Sequence, residues 1–286
     1  MKYGLTLCLT ALMLFASCSS QKSGQRYGGI VSLLPSLTET VRALGLGDSL
    51  VGVSRYCPQP GDSGRRVAIV GDCVNPNYEQ IVRLRPSLVL IGDMQVNTES
   101  KFRDLGIPVL MLPQGRLADV DSAFRVLGRR FGCPRAADSI VTRLRSELDS
   151  LQRLHAGAKP KRVLFVVGRN PGTLSNIYSI NRESFLSELL CIAGGVSVFD
   201  SMPMAWCKVS VEEILRRDPE IIIETVLMGN GGEGAEIWKR LPQIAAVRTG
   251  RIYTLQEDYI FTPGPRMAET AKKLNQILYP GDAAQP

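Results

Sequence analysis

The sequence predicts an α/β protein of two similar Rossmann-like lobes joined by one long helix. Three observations predict it. Short aliphatic strands alternate with amphipathic helices from Gly29 to about Leu112 and again from Arg162 onward, the pattern of parallel sheets covered on both faces. Between the two runs, PRAADSIVTRLRSELDSLQRLH (134–155) has no glycine or internal proline. One phrase also occurs twice: YEQIVRLRPSLVLI (78–91) and VEEILRRDPEIIIE (211–224) share Glu-x-Ile-x4-Pro followed by aliphatics, 133 residues apart.

Taken in order, GGIVSLL reads as a strand and PSLTETVRALGL as a helix, with Thr38 or Ser36 as N-cap and Gly45 as stop. SLVGVS is a strand. NYEQIVRLR is a helix ended by Pro86, because the residue before a proline is disfavoured in the helical region. SLVLIG is aliphatic on both faces, as a central parallel strand must be. KFRDLG and IPVLMLP follow as helix and strand. The long stretch carries an apolar stripe at Ile140, Leu144, Leu148 and Leu151, with proline at its start and Gly157 past its end. As a helix it would span roughly 33 Å, enough to bridge two lobes. RVLFVVG, EIIIETV and RIYTLQ are the strands of the second run. SFLSELLCIAGG, VSVEEILRR and AETAKKLNQILY are its helices. The expected division is 1–17 leader, 18–28 tether, 29–133 first lobe, 134–157 linking helix and 158–286 second lobe. Facing lobes of this kind hold ligands in the cleft between them.

The N-terminus stands outside both cores. Lys2, the short apolar run GLTLCLTALMLFA and Ser17-Cys18-Ser19-Ser20 form a secretory leader, too short to span a bilayer as a helix. The 286-residue chain carries a net charge of +7 with its basic residues scattered, which argues against a nucleic-acid stripe. Five cysteines lie beyond Cys18, so at least one is left unpaired within the chain, and no CxxC spacing suggests zinc. Cys57, Cys73 and Cys207 could converge on a soft metal, but a disulfide or buried thiols is the simpler reading. His155 is the sole histidine and is expected as an exposed helix-end residue, leaving no base for a Ser-His-Asp triad. GNGGEGAE (229–236) lacks the Lys-Ser/Thr of a phosphate loop and is expected to be a flexible loop. No catalytic constellation and no resident metal or cofactor is expected.

IVSLLPSLTETVRALGLGDSLVGVSRYCPQP, VGDCVNPNYEQIVRLRPSLVLIG and FTPGPRMAETAKKL resemble the cobalamin-type substrate-binding proteins of ABC importers. This is the helical-backbone class (class III periplasmic-binding-protein architecture), which also includes receptors for haem and ferric siderophores. The resemblance runs from about Gly29 to Tyr279. It implies a monomeric receptor that binds a cobalamin-like corrinoid between its lobes and docks on a permease served by an ATPase. The ligand residues it implies are Ser36, Tyr56, Tyr178, Trp206, Asp258, Tyr259 and Arg266. Cys73 stands where that family's vitamin B12 receptors carry a large aromatic, and Ile260 and Phe261 replace more polar residues. Haem or a ferric siderophore therefore stays open as the ligand, with Tyr259 and Met204 as possible haem ligands. A surface interaction protein without a transport role, and an enzyme using carboxylate pairs, are the rivals from other classes. Cys18 after Ala16-Ser17 resembles a lipobox, which implies lipidation at Cys18 and a membrane-anchored protein facing the periplasm or cell exterior. Glu79 and Glu212 match the two rim acids that such receptors offer to arginines of the permease. A residue in the first turn of a helix also suits an acid for reasons of the helix dipole alone.

Overall fold

A computed structural model describes residues 29–59, 67–202, 206–225 and 234–281. The leader, Cys18, Met204 and most of the glycine-rich segment lie outside the described residues.

The first half runs β1 (Ile30–Ser32), α1 (Pro35–Ala43), β2 (Leu50–Val53), β3 (Ala68–Ile69), α2 (Tyr78–Leu84), β4 (Leu88–Gly92), α3 (Val96–Asp104), β5 (Val109–Leu112) and α4 (Leu117–Arg130). Its five strands form a parallel sheet in the order β3-β2-β1-β4-β5. α5 (Pro134–Leu154) follows. The second half runs β6 (Lys161–Gly168), β7 (Ile177–Ile180), α6 (Phe185–Ile192), β8 (Gly195–Ser197), β9 (Trp206–Val209), α7 (Val211–Arg217), β10 (Ile221–Thr225), α8 (Gly234–Trp238), α9 (Ala245–Arg248), β11 (Ile252–Leu255) and α10 (Met267–Leu278). Here the sheet order is β11-β10-β6-β7-β9, with β8 also paired to β6. The parallel series β8-β6-β10-β11 matches β2-β1-β4-β5 strand for strand.

The repeated phrase is one repeated structural unit. Asn77 and Ser210 each cap a seven-residue helix by accepting a backbone N–H three residues on. Arg85 and Asp218 each leave the helix in the left-handed region, at φ 46° and 40°, as the clash of a following proline with right-handed helical backbone favours. β4 and β10 follow, every residue buried. All of these pairs keep the 133-residue spacing.

Strand alternation sorts the aliphatics into layers. Ile30, Leu88 and Leu90 of the first sheet, and Val163, Phe165, Ile221 and Ile223 of the second, belong to one continuous core that includes α5 and α10. Val31, Val89 and Ile91 face a separate outer cluster, as Leu164, Val166 and Ile222 do in the second lobe. The buried stripe of α5 is Ala137, Val141, Leu144, Leu148 and Leu151.

Several expectations change. α1 begins at Pro35 with Leu34 as cap and no side-chain cap bond. Proline's fixed φ suits the first helical position, so Ser36 and Thr38 lie inside the helix and are buried. On α5, Ile140 is only half-buried and Val141 takes its place in the stripe. The second sheet is mixed rather than parallel, because β7 and β9 add an antiparallel edge. Val209, expected in a helix, ends β9. Part of the glycine-rich segment, Gly234 to Glu236, opens α8. α4 is a further helix, with Leu117, Val120, Phe124 and Leu127 buried. His155 is half-buried, stacked on Tyr279 at 3.9 Å between ring centroids and hydrogen-bonded to Asn275. Cys57, Cys73, Cys133, Cys191 and Cys207 are all free thiols, and no metal-ligating cluster occurs among the described residues.

Candidate ligand-binding cleft

A cleft of about 270 Å³ opens between the lobes. The first lobe supplies Leu34, Pro35 and Ser36 from the cap and start of α1, Gly92 at the end of β4 with Asp93 to Gln95 beyond it, and Gln114 with Gly115 after β5. The second lobe supplies Ser184 and Phe185 at the start of α6, Trp206 at the start of β9, and Phe261 to Pro263. These segments converge because the parallel strands of both sheets end toward one another, leaving loops and helix starts at the crevice.

The wall is mainly apolar. The Trp206 ring is 37% exposed and lies 6.4 Å from the Phe261 ring, tilted by 46°. Among the described residues Asp93 is the one charged residue in the lining, which contains neither Lys nor Arg. Gln95 is pinned: its Oε1 accepts from Gly92 N at 2.9 Å and its amide nitrogen donates to the Cys73 carbonyl. Gln114 donates to the carbonyls of Leu112 and Pro113. Its Oε1 is buried with no hydrogen-bond partner among the described residues.

Two straps cross between the lobes. Arg266, which caps α10, grips Glu39 of α1 through Nη2–Oε1 at 2.6 Å and Nε–Oε2 at 3.3 Å. Burial lowers the guanidinium's affinity for its proton, but the hydrogen bond and charge of Glu39 outweigh this, aided by Asp258 and Glu269, and hold its pKa above the ordinary arginine value. At the other strap, Phe185 N donates to Gly115 O at 2.8 Å. Glu188 there accepts from Arg116 Nε at 2.6 Å and from Leu117 N at 2.7 Å.

Of the seven residues expected to touch ligand, Ser36 and Trp206 line this cleft. Tyr56 and Tyr178 are 43% and 42% exposed and lie outside the lining. Asp258 projects into solvent, with Oδ1 3.4 Å from Arg266 Nη1. Tyr259 lies under the Arg266 guanidinium, 4.8 Å from centroid to Cζ. Burial, then Glu257 and Glu269, raise its phenol pKa. The sequence reading did not single out Gln114, Phe185 or the Glu39 side of the strap. Phe185 was visible only as the start of a helix, and Glu39 only as a helical polar residue.

Glu79 and Glu212 occupy the same position in the first turns of α2 and α7. Glu79 is exposed and pairs with Arg83. Glu212 is fully exposed, and hydrogen bonds from its own backbone N–H and the Ser210 hydroxyl hold its carboxyl below the usual range. The neighbouring Glu213 is engaged by Arg217 and Arg216.

Two α/β lobes joined by a long helix and strapped across an apolar crevice make a two-lobed binding architecture. The chain belongs to the periplasmic binding protein family, whose model matches residues 30–259. It is 30% identical over 273 residues to a vitamin B12-binding protein of Photorhabdus laumondii, covering 94% of each chain. It is 29% identical over 261 residues to the uncharacterized ABC transporter substrate-binding lipoprotein YvrC of Bacillus subtilis, covering 88% of this chain and 80% of that one. A crystal structure of a possible iron-binding, periplasmic solute-binding protein from Staphylococcus epidermidis superposes with a TM-score of 0.75 at 27% identity, covering 89% of this chain and all of the other. The protein is thus a substrate-binding protein of an ABC transporter, serving solute capture for transport rather than catalysis. No helix among the described residues is long and apolar enough to cross a membrane.

Proposed function

We propose that the protein is a lipid-anchored receptor that captures a cobalamin-like corrinoid between its lobes and delivers it to a permease. The observation that carries the choice of ligand is the cleft's chemistry among the described residues: aromatic and aliphatic walls, no lysine or arginine, and a buried acceptor without a hydrogen-bond partner at Gln114 Oε1. A corrinoid is a broad apolar disc rimmed by neutral amides. Its face suits Trp206 and Phe261, and its amide N–H groups can donate to Gln114. Haem and most ferric siderophores present carboxylates or other anions, which call for cations in the lining. Arg266 is already committed to Glu39. The likeness to a vitamin B12-binding protein over 94% of both chains supports the same ligand. The crevice grips part of the disc, and Ser36 and Trp206 contact it from opposite lobes. Tyr56, Tyr178, Asp258 and Tyr259 take part where the ligand extends beyond the crevice.

Anchoring is through Cys18, facing the periplasm or the cell exterior. Glu79 and Glu212 form the docking pair for the permease, one acid per lobe. A haem or ferric-chelate ligand is the second reading, favoured by the likeness to the possible iron-binding protein. Calorimetric titration of the soluble domain with cyanocobalamin, haemin and a ferric siderophore separates the two. Binding of cyanocobalamin alone is expected. Binding of haemin or the siderophore alone selects the second reading, and no binding at tens of micromolar overturns both.

A further inference from the structure

Trp206 does not stand alone on its strand. In β9, Trp206 and Lys208 are exposed while Cys207 and Val209 are buried, so the first two share one face of the sheet. The register pairs Lys208 with Tyr178 of β7, and Trp206 with Ile180. Residues directly opposite in an antiparallel pair also share a face, with Cβ atoms about 5 Å apart. The result is a ledge that begins at the cleft wall with Trp206 and continues through Lys208 to the half-exposed Tyr178. Lys208 forms no ion pair with a carboxylate among the described residues. β9 is a sheet edge, and a lysine there guards against strand pairing. That role explains a charge at an edge, but not its place between two exposed aromatics beside a cleft whose lining, among the described residues, has no cation.

Building on the corrinoid reading, we infer that this ledge is a second subsite, which takes an anionic, phosphodiester-bearing appendage of the ligand seated on Trp206. Lys208 supplies a mobile ammonium with three donors for the phosphate. Tyr178 and Trp206 flank it with flat apolar faces for an attached heterocycle. A disc without that appendage would occupy the crevice and leave Lys208 untouched.

The test is calorimetric titration of the wild type and of Lys208→Gln with two probes. Cyanocobalamin carries the phosphate, ribose and base; dicyanocobinamide lacks all three. Lys208→Gln is expected to weaken cyanocobalamin about fivefold, with the difference shrinking at high salt, and to leave cobinamide unchanged. Equal effects on both probes, or none on either, overturn the subsite while leaving the corrinoid reading in place. Failure of the wild type to bind either corrinoid refutes that reading and the subsite with it. Loss of uptake at unchanged affinity for both probes would place Lys208 on the permease face and also overturn the subsite.

Discussion

The strap between Arg266 and Glu39 makes a quantitative prediction, and the perturbation is Arg266→Gln. The two residues are 227 apart in sequence and sit on different lobes. The Arg266 side chain is 32% exposed and that of Glu39 11%, so the pair lies between the surface and buried regimes. At roughly 4 Å between charge centres and an effective dielectric near 20, the attraction is about 4 kcal/mol. Partial desolvation of both groups offsets part of it, and the exposed share of the arginine is screened. Removing the guanidinium leaves the largely buried Glu39 carboxylate without its cation, at a net cost of about 2 kcal/mol. For a chain of this size that corresponds to roughly 5 °C in Tm. Calorimetric melting of Arg266→Gln, Glu39→Gln and the double variant closes a mutant cycle. A coupling of about 1 to 2 kcal/mol is expected, with ligand affinity changed less than threefold. An unchanged Tm together with a large loss of ligand affinity would refute the reasoning, because it would return Arg266 to the ligand.

Three further outcomes follow from the same geometry. Trp206→Ala should weaken the corrinoid about 30-fold, or ~2 kcal/mol, with little change in Tm because the ring is 37% exposed; equilibrium titration and melting check the two halves. The double variant Glu79→Lys, Glu212→Lys should abolish uptake in cells at unchanged ligand affinity, and normal uptake would remove these acids from docking. Burial raises the Cys57 thiol pKa, a shift that hydrogen bonds from Ser54 and Thr38 only partly offset. The unfolded thiol therefore ionises first, near pH 8.5. Stability from this group is full below that pH and falls as pH rises toward the folded pKa. Urea midpoints from pH 7 to 9.5 should fall less steeply in Cys57→Ala than in the wild type, and parallel slopes would contradict the assignment.

What could be read from the sequence was whatever repeats locally. β4 and β10 are aliphatic on successive residues because each sheet is buried on both faces. The stops of α2 and α7 were visible in Pro86 and Pro219. α4 also had a helical stripe, at Leu117, Val120, Phe124 and Leu127, and could have been found by the same count. The antiparallel strands β7 and β9 are only four residues each, and one face of β9 points to solvent, so their alternation offers little to distinguish them from loop. The cleft is different in kind. Ser36, Gln114, Phe185, Trp206 and Thr262 come from five separated segments, and no periodicity links them. Resemblance could reach Ser36 and Trp206 one position at a time. It could not show that Arg266 faces Glu39 rather than the crevice, because that depends on how the lobes are set against each other.

The setting of the lobes connects the cleft to Glu79 and Glu212. Both inner sheet faces share one core with α5 and α10, so rotating one lobe against the other would break continuous apolar packing as well as two ionic straps. Opening by even a few ångströms would expose residues such as Leu144, Leu148 and Leu274, now almost fully buried, and each costs on the order of 2 kcal/mol when returned to water. Large hinge closure is therefore disfavoured. With the lobes fixed, α2 and α7 are fixed too, and so are Glu79 and Glu212. On the proposed reading, the duplicated helix presents two acids at a constant spacing whether the cleft is empty or full. Docking would then be insensitive to ligand, and loading would have to be sensed by the permease at the cleft mouth rather than through a change in the receptor's shape.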